Sequence, residues 1–542
     1  MLTLTSDVRV PRARLPRILV AAAMCVGAGA NAQTQATTPA GPDPLLDLFV
    51  KKGFVTQDEA NQVKAEADAM RTNGPVVSNK SKWIISDGIK SVELFGDLRL
   101  RYEDRDAEAP GGAQVKLKRE RYAVRLGLRG DVADDFYYGL RLDTAANPRS
   151  PWVTFGTSSS TSPYQGPFGK SQAGLNIGEV YIGWHPESWV DITVGKMPMP
   201  LYTTAMVWDT DINPEGAAER FKYSVGQADF FATFGQFLYA DFNPSSASGG
   251  LGFNGETGQN TDQLFLIAYQ AGFTYHFSTN TYAKIAATTY QYVGQQRSTL
   301  ASGSVTSPYF GDPYVGEGGY LGPGTGTTQG QTTPVTGFVS QPGYQSVGFA
   351  NNQVGVDHLS VVEIPFEVDF KLSQLDARFF GDVAYNFDGS KRAEDAATGY
   401  GVYLSHQPTT TPTIKPFSPQ RDDVKAYQLG FAIASPNNLG MVYGASAKRH
   451  GWELRTYWQH VEQYALDPNL LDSDFFEGRG NLEGIYVAAA YGFTGNVIGT
   501  VRYGYASRIN DKLGTGGSNQ DIPQINPINH YNLLQMDLTL HF

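Results

Sequence analysis

The sequence predicts an all-β fold. It is a transmembrane antiparallel β-barrel of about 16 strands, with 18 as the alternative, preceded by a short N-terminal periplasmic helical segment. Three observations carry this. From residue 91 to 542 apolar and polar residues alternate with a period of two; the connections are by turns short and long; and the chain ends in an alternating strand closed by Phe542. Composition agrees. Of 542 residues 18% are charged and 12% aromatic, with 60 Gly, 30 Tyr and 30 Phe, whereas a soluble domain carries about 25% charged residues. A helical membrane protein needs apolar stretches of about 20 residues, and the longest one here, residues 18–30, is shorter.

Residues 1–32 read as an export signal. Arg9, Arg12, Arg14 and Arg17 precede the apolar run, and Ala30-Asn31-Ala32 offers small residues for cleavage before Gln33, the layout of a secretory leader. Cys25 does not mark a lipoprotein, because Met24 stands where a small residue is wanted. Cleavage would leave a mature chain without cysteine. It would also remove four Arg and one Asp, a net +3, taking the charge from -11 to -14. That sign excludes nucleic acid as a partner, since such binding needs a basic footprint. Residues 33–82 follow as a periplasmic helical segment and linker. Here Thr56 and Glu59 form a capping box, and Ala60, Val63, Ala67 and Met70 share a stripe.

The barrel is expected over residues 83–542. In its first strand Leu94, Leu98, Leu100 and Tyr102 face one way and Glu93, Asp97, Arg99 and Arg101 the other. The same alternation sets Tyr122, Val124, Leu126 and Leu128 against Arg121, Arg125 and Arg129, and Leu140 and Leu142 against Arg141 and Asp143. Runs of 10–14 residues suit a tilted membrane strand better than a soluble strand of about 5–6 residues. Tight turns at 130–135, 186–189 and 278–280 alternate with long polar loops at 147–171, 244–262, 294–357, 389–423 and 510–529. Short turns on one side and long loops on the other are the barrel layout, with the apolar face toward lipid and the polar face toward a lumen. The last strand sets Leu534, Met536, Leu538 and Leu540 in register with Phe542. It resembles the C-terminal signature that barrel-insertion machinery reads in bacterial outer membranes, so Phe542 is the expected assembly signal.

Gly195-Lys196-Met197-Pro198 leads into Trp208-Asp209-Thr210-Asp211-Ile212-Asn213-Pro214-Glu215-Gly216, and Gly451-Trp452-Glu453-Leu454 is followed by Asp472-Ser473-Asp474-Phe475. These segments, with the Leu-Leu-Asp-Leu helix near the N-terminus, resemble the "putative porin" family of Gram-negative outer membranes. The resemblance implies a trimer-type channel for small hydrophilic solutes in outer-membrane lipid, without naming a solute. Passive diffusion through a water-filled barrel is the function expected, and a substrate-selective channel is the alternative. A secreted β-rich adhesin is a more remote one.

Two constellations could shape a pore. Asp209, Asp211, Asn213 and Glu215 alternate like the start of a calcium loop. Pro214 occupies the place of the turn glycine, however, and Arg220 stands where a bidentate Glu is needed,. A turn or an inward constriction loop is therefore preferred over a metal site. On the wall, Arg99, Arg101, Arg121, Arg125, Arg129 and Arg141 should all point into the lumen, because an Arg on the lipid face costs about 2–4 kcal/mol at the midplane. They could form a ladder facing the acidic loop across the pore, or a salt-bridge lattice with Glu93, Asp97, Glu103, Asp131 and Asp143. Neither a cofactor nor enzymatic activity is expected, for the eight His fall in no catalytic or metal-binding spacing.

Overall fold

The computed structural model describes residues 88–145, 150–156, 174–241, 263–294, 356–405, 418–516 and 521–542, apart from a few single positions. Short fragments at 82–83, 319–320 and 345–346 are described as well. The expected leader and the capping box at Thr56 and Glu59 lie outside the described residues.

Sixteen long strands make one closed antiparallel barrel. They are β1 Val92–Glu108, β2 Gln114–Asp131, β3 Phe136–Ala145, β4 Gly174–Glu187, β5 Val190–Lys196, β6 Glu215–Val225, β7 Ala228–Asp241 and β8 Gln263–Ser278. The rest are β9 Thr281–Val293, β10 Ser360–Lys371, β11 Asp376–Asn386, β12 Lys425–Ala434, β13 Trp452–Val461, β14 Leu482–Gly492, β15 Val497–Arg508 and β16 His530–His541. Each pairs with its neighbour in sequence, and β1 pairs with β16 from Asp97↔His541 to Glu108↔His530. Closure removes every open edge. Beyond the final strand, Phe542 and Gly96 exchange both backbone hydrogen bonds, at 3.0 and 3.1 Å.

Alternation decides which face each side chain takes. Leu94, Leu98, Leu100, Leu126, Leu128 and Leu140 stand outward and exposed, as do Met536, Leu538, Leu540 and Phe542 on the far side of the seam. Aromatics gather at the short-turn end of this band, among them Trp184, Trp189, Phe277, Trp452 and Phe493. Interfacial rings of this kind belong at headgroup level. No described helix is long and apolar enough to cross a membrane; the strands do so.

The connections follow the expected sides with two differences. Between β12 and β13 the short-turn end carries a long segment, residues 435–451, wound into a 3-10 turn at Met441–Tyr443. Its Met441 and Val442 are buried, so this connection folds inward. In the loop read as polar, a helix α1 spans Gly389–Ser405. Its sequence shows little helical periodicity; Ala393 and Ala396 are instead fixed by packing against Val424, Tyr464 and Leu513. Tertiary packing supplies most helix stability in folded proteins.

The interior is fuller than a simple water-filled tube. Three long-side loops contribute to it: L3 (197–214), L7 (462–481) and L8 (509–529). Met206, Val207 and Trp208 of L3, Leu470, Leu471 and Phe475 of L7, and Ile522, Ile525 and Ile528 of L8 join one apolar cluster with Phe237, Tyr457 and Tyr486 of the wall. Sequence alternation assigned apolar residues chiefly to lipid. The loops supply a second apolar environment inside, and inward-facing aromatics use it.

Candidate pore constriction

On β1, β2 and β3 the six predicted arginines all carry polar or ring partners inside the barrel. Arg99 grips Asp97 at 2.7 and 3.0 Å. Arg101 binds both oxygens of Asp537 at 2.7 and 2.9 Å and reaches Asp474 at 2.8 Å. Arg121 lies 3.7 Å from Glu103 and donates to the Trp152 carbonyl at 3.4 Å. Arg125 pairs with Asp211, Arg129 with Glu93 at 3.1 Å, and Arg141 with Asp143 at 2.7 Å and with Glu179. Asp131 accepts from Ser91 at 2.7 Å. Charge-assisted, often bidentate bonds of this type fix geometry strongly. The arrangement is a lattice of pairs.

The acidic segment divides. Asp211 sits against Arg125, so L3 lies on the arginine wall and not across an open lumen from it. Asp209 accepts from Ser473 through both its amide and its hydroxyl, at 3.0 and 2.8 Å. Asn213 donates to the Gly178 carbonyl at 2.8 Å. Glu215 opens β6 and pairs with Lys196 at 2.5 Å on the outward register, away from the lumen. L3 is pinned at its other end, where Thr203 donates to Glu363 at 2.7 Å and Thr204 to Asp382 at 2.5 Å.

L7 meets L3 from the opposite side. The Asp209 amide donates to the Leu470 carbonyl at 2.6 Å. Phe475 rests on Gly504 of β15, where an added Cβ would come within 2.5 Å of the ring; only a glycine leaves that seat. Arg479, fully buried, donates to the carbonyls of Thr515, Ile522 and Ile525 at 3.2, 2.6 and 3.0 Å, clasping L7 to L8. From the short-turn end, Arg502 donates to the Val442 carbonyl at 2.9 Å and also pairs with Asp537. The Val442 amide donates to Glu453 at 3.0 Å. Gly440 and Gly444 bracket this turn with φ of 95° and 87°, values that favour glycine.

Together these segments line a cavity of about 90 Å³. Arg99, Arg101, Arg502 and Asp537 come from the wall, Asp211 from L3, Asp472 and Asp474 from L7, and Tyr443 from the inward turn. Tyr457 and Tyr486 stack beside it with ring centroids 4.6 Å apart. The loop carboxyls differ in proton affinity. Burial, reinforced by Asp474 and Asp211, pushes Asp472 up to about 7. Burial also raises Asp209 well above the usual carboxylate range, with Asp211 and Asp472 adding to it. Burial would raise Asp474 too, but Arg101 and Arg105 hold it at about 2. Such an arrangement presents fixed charges of both signs to a passing solute, plus one carboxyl that titrates near neutrality.

In the sequence, Asp472-Ser473-Asp474-Phe475 carries a family resemblance but no local pattern that positions it in the lumen. Arg502, Asp537 and the inward turn join the cavity without having been among the expected site residues. Both wall residues carried a signal, since Val501-Arg502-Tyr503 and Met536-Asp537-Leu538 place a charge opposite lipid-facing neighbours.

A family model described as "Putative porin" matches residues 112–542. The chain belongs to that porin family. Family and barrel together make it a channel protein of the porin kind, of outer-membrane type and with lipid around it. Comparison with curated proteins finds no match. Among solved structures the porin is similar to in-vitro folded OmpT, an outer membrane protein of Vibrio cholerae. The identity is 9%, with 85% of this chain and 100% of that chain covered and a TM-score of 0.36. A trimer form of in-vitro folded OmpT from Vibrio cholerae matches at 9% identity, covering 83% and 99%, with a TM-score of 0.35.

Proposed function

We propose that this porin lets small hydrophilic solutes or ions diffuse passively across the bacterial outer membrane, through the cavity that L3, L7 and the inward turn leave along the arginine wall. The chain would arrive by a cleavable leader, insert through recognition of its terminal strand, and assemble as a homotrimer, as the family resemblance implies. One observation carries the reading of the pore: Arg99, Arg101 and Arg502 share a cavity with Asp211, Asp472, Asp474 and Asp537. Rings of fixed charge at a narrow point set ion preference. Three segments narrowing one lumen also favour the second reading, a substrate-selective channel.

Planar-bilayer recording of Arg125→Ala tests this. Removing the guanidinium leaves Asp211 unpaired in the pore, so cation preference and conductance both rise. Arg129→Ala, which removes the cation 3.1 Å from Glu93, shifts ion preference the same way. Unchanged conductance and ion preference in both variants would remove the reading, and sugar competition in the parent channel separates a general pore from a selective one.

A further inference from the structure

Every strand shows lipid an outward row, and most of these rows are apolar from one aromatic end to the other. On β10 the row is Val362, Ile364, Phe366, Val368 and Phe370; on β16 it is Leu534, Met536, Leu538 and Leu540. The rows of β5 to β8 depart from this. Glu219 pairs in register with Ile192 of β5 and Phe234 of β7, residues of the outward rows, while Ala218 and Phe237 beside them are buried inward. Glu219 therefore points out of the barrel. It lies six residues above Val225 at the short-turn end. At about 3.3 Å per residue and a tilt of about 45°, that is roughly 14 Å, near the middle of an apolar band about 25 Å tall. Among the described residues it is the one carboxylate at that depth on the outer face.

Glu219 accepts from the Gln236 amide, at 3.3 and 3.4 Å to its two oxygens. A charge in hydrocarbon needs more than one long amide contact. Around it the row narrows to small residues, with Ala217 beside Gln236 and Ala232 beside Ala271. Phe234 and Tyr269, stacked at 4.9 Å, form one border. The Lys196–Glu215 pair closes the upper end. Small residues permit close backbone approach between membrane segments, and the patch holds both donors (Lys196, Gln236) and acceptors (Glu215, Glu219).

We propose that this outward face of β5 to β8 is where a second copy of this chain docks in the membrane. The donor and acceptor set is complementary to itself, so a neighbouring copy brings an amide or ammonium to Glu219 and removes the carboxylate from lipid. This rests on the homo-oligomeric part of the reading above and adds the face through which it forms.

The test uses the full chain carrying Cys25→Ser, with a single new cysteine introduced by Ala217→Cys, or by Ala489→Cys on β14 half-way round the barrel. Heat-modifiable migration on a gel confirms that each variant is folded, and light scattering in mild detergent gives the mass of the particle. Mild oxidation in intact outer membranes is expected to turn most of the Ala217→Cys protein into a covalent dimer of twice the chain mass, and to leave Ala489→Cys single. A disulfide requires Cα atoms within about 7 Å, so the dimer reports direct contact. An oligomer that fails to cross-link at 217, or cross-links at 489, overturns the face while the oligomer stands. A particle of single-chain mass overturns both, and a 217 adduct of another mass assigns the face to a different protein.

Discussion

Asp472 shows how a single side chain can make a pore respond to pH. Its carboxyl is capped by the amides of Asp474 and Phe475 at 3.1 and 3.2 Å, yet burial and the nearby Asp474 and Asp211 push it up to about 7 from an ordinary 3.8. A carboxyl raised in the folded state binds its proton more tightly there than in the unfolded chain. Its contribution to stability is therefore lost as pH rises between about 4 and 7. The pore wall gains one negative charge over the upper part of that window. Cation preference in bilayer recordings is expected to rise between pH 6 and 8 with a midpoint about 7, and Asp472→Asn to flatten that rise. A parent channel with no pH dependence across that range would contradict it.

At the scale of elements, the strands were legible and the loops were not, for a physical reason. A strand side chain has two directions to choose from, and lipid on one side enforces the choice; hence Leu126 and Arg125 could be placed from their neighbours alone. A loop's path is fixed by contacts remote in sequence, such as the Asp209 amide on the Leu470 carbonyl or Thr203 on Glu363, and no local pattern encodes those. The acidic L3 segment was thus recognised as a constriction candidate, while its seat against Arg125 was not foreseen and Glu215 belongs to the outer face. The inward turn at 435–451 is the clearest case, because it lies at the end of the barrel where the neighbouring connections, 372–375 and 493–496, are tight. Excising residues 441–444 and rejoining the chain with two glycines removes Met441, Val442 and Tyr443 from the lumen. Single-channel conductance should then increase, with heat-modifiable migration preserved. An unchanged conductance would mean the turn does not narrow the path.

For the molecule as a whole, stability rests on one ring of hydrogen-bonded strands with its ends tied at the seam. Phe542 supplies the last two backbone bonds between β16 and β1, through Gly96, and its exposed ring extends the apolar row of Leu538 and Leu540. Deleting it removes both bonds and the terminal aromatic together. The expected result is a smaller heat-modifiable fraction in isolated outer membranes, with the residual barrels retaining the parent conductance. An undiminished fraction would show that the seam closes without it.

The seam also sets a timetable for biosynthesis. Arg101 finds Asp537 436 positions later in the chain, and Arg502 shares that carboxylate. Until the final strand is in place both guanidiniums lack this partner, and Arg101 is left with Asp474 and Arg502 with the Val442 carbonyl. A chain truncated before Asp537 would carry two cations at its centre deprived of that carboxylate, as well as an open edge. The ion pair inside the barrel thus forms only once β16 lies beside β1 and β15.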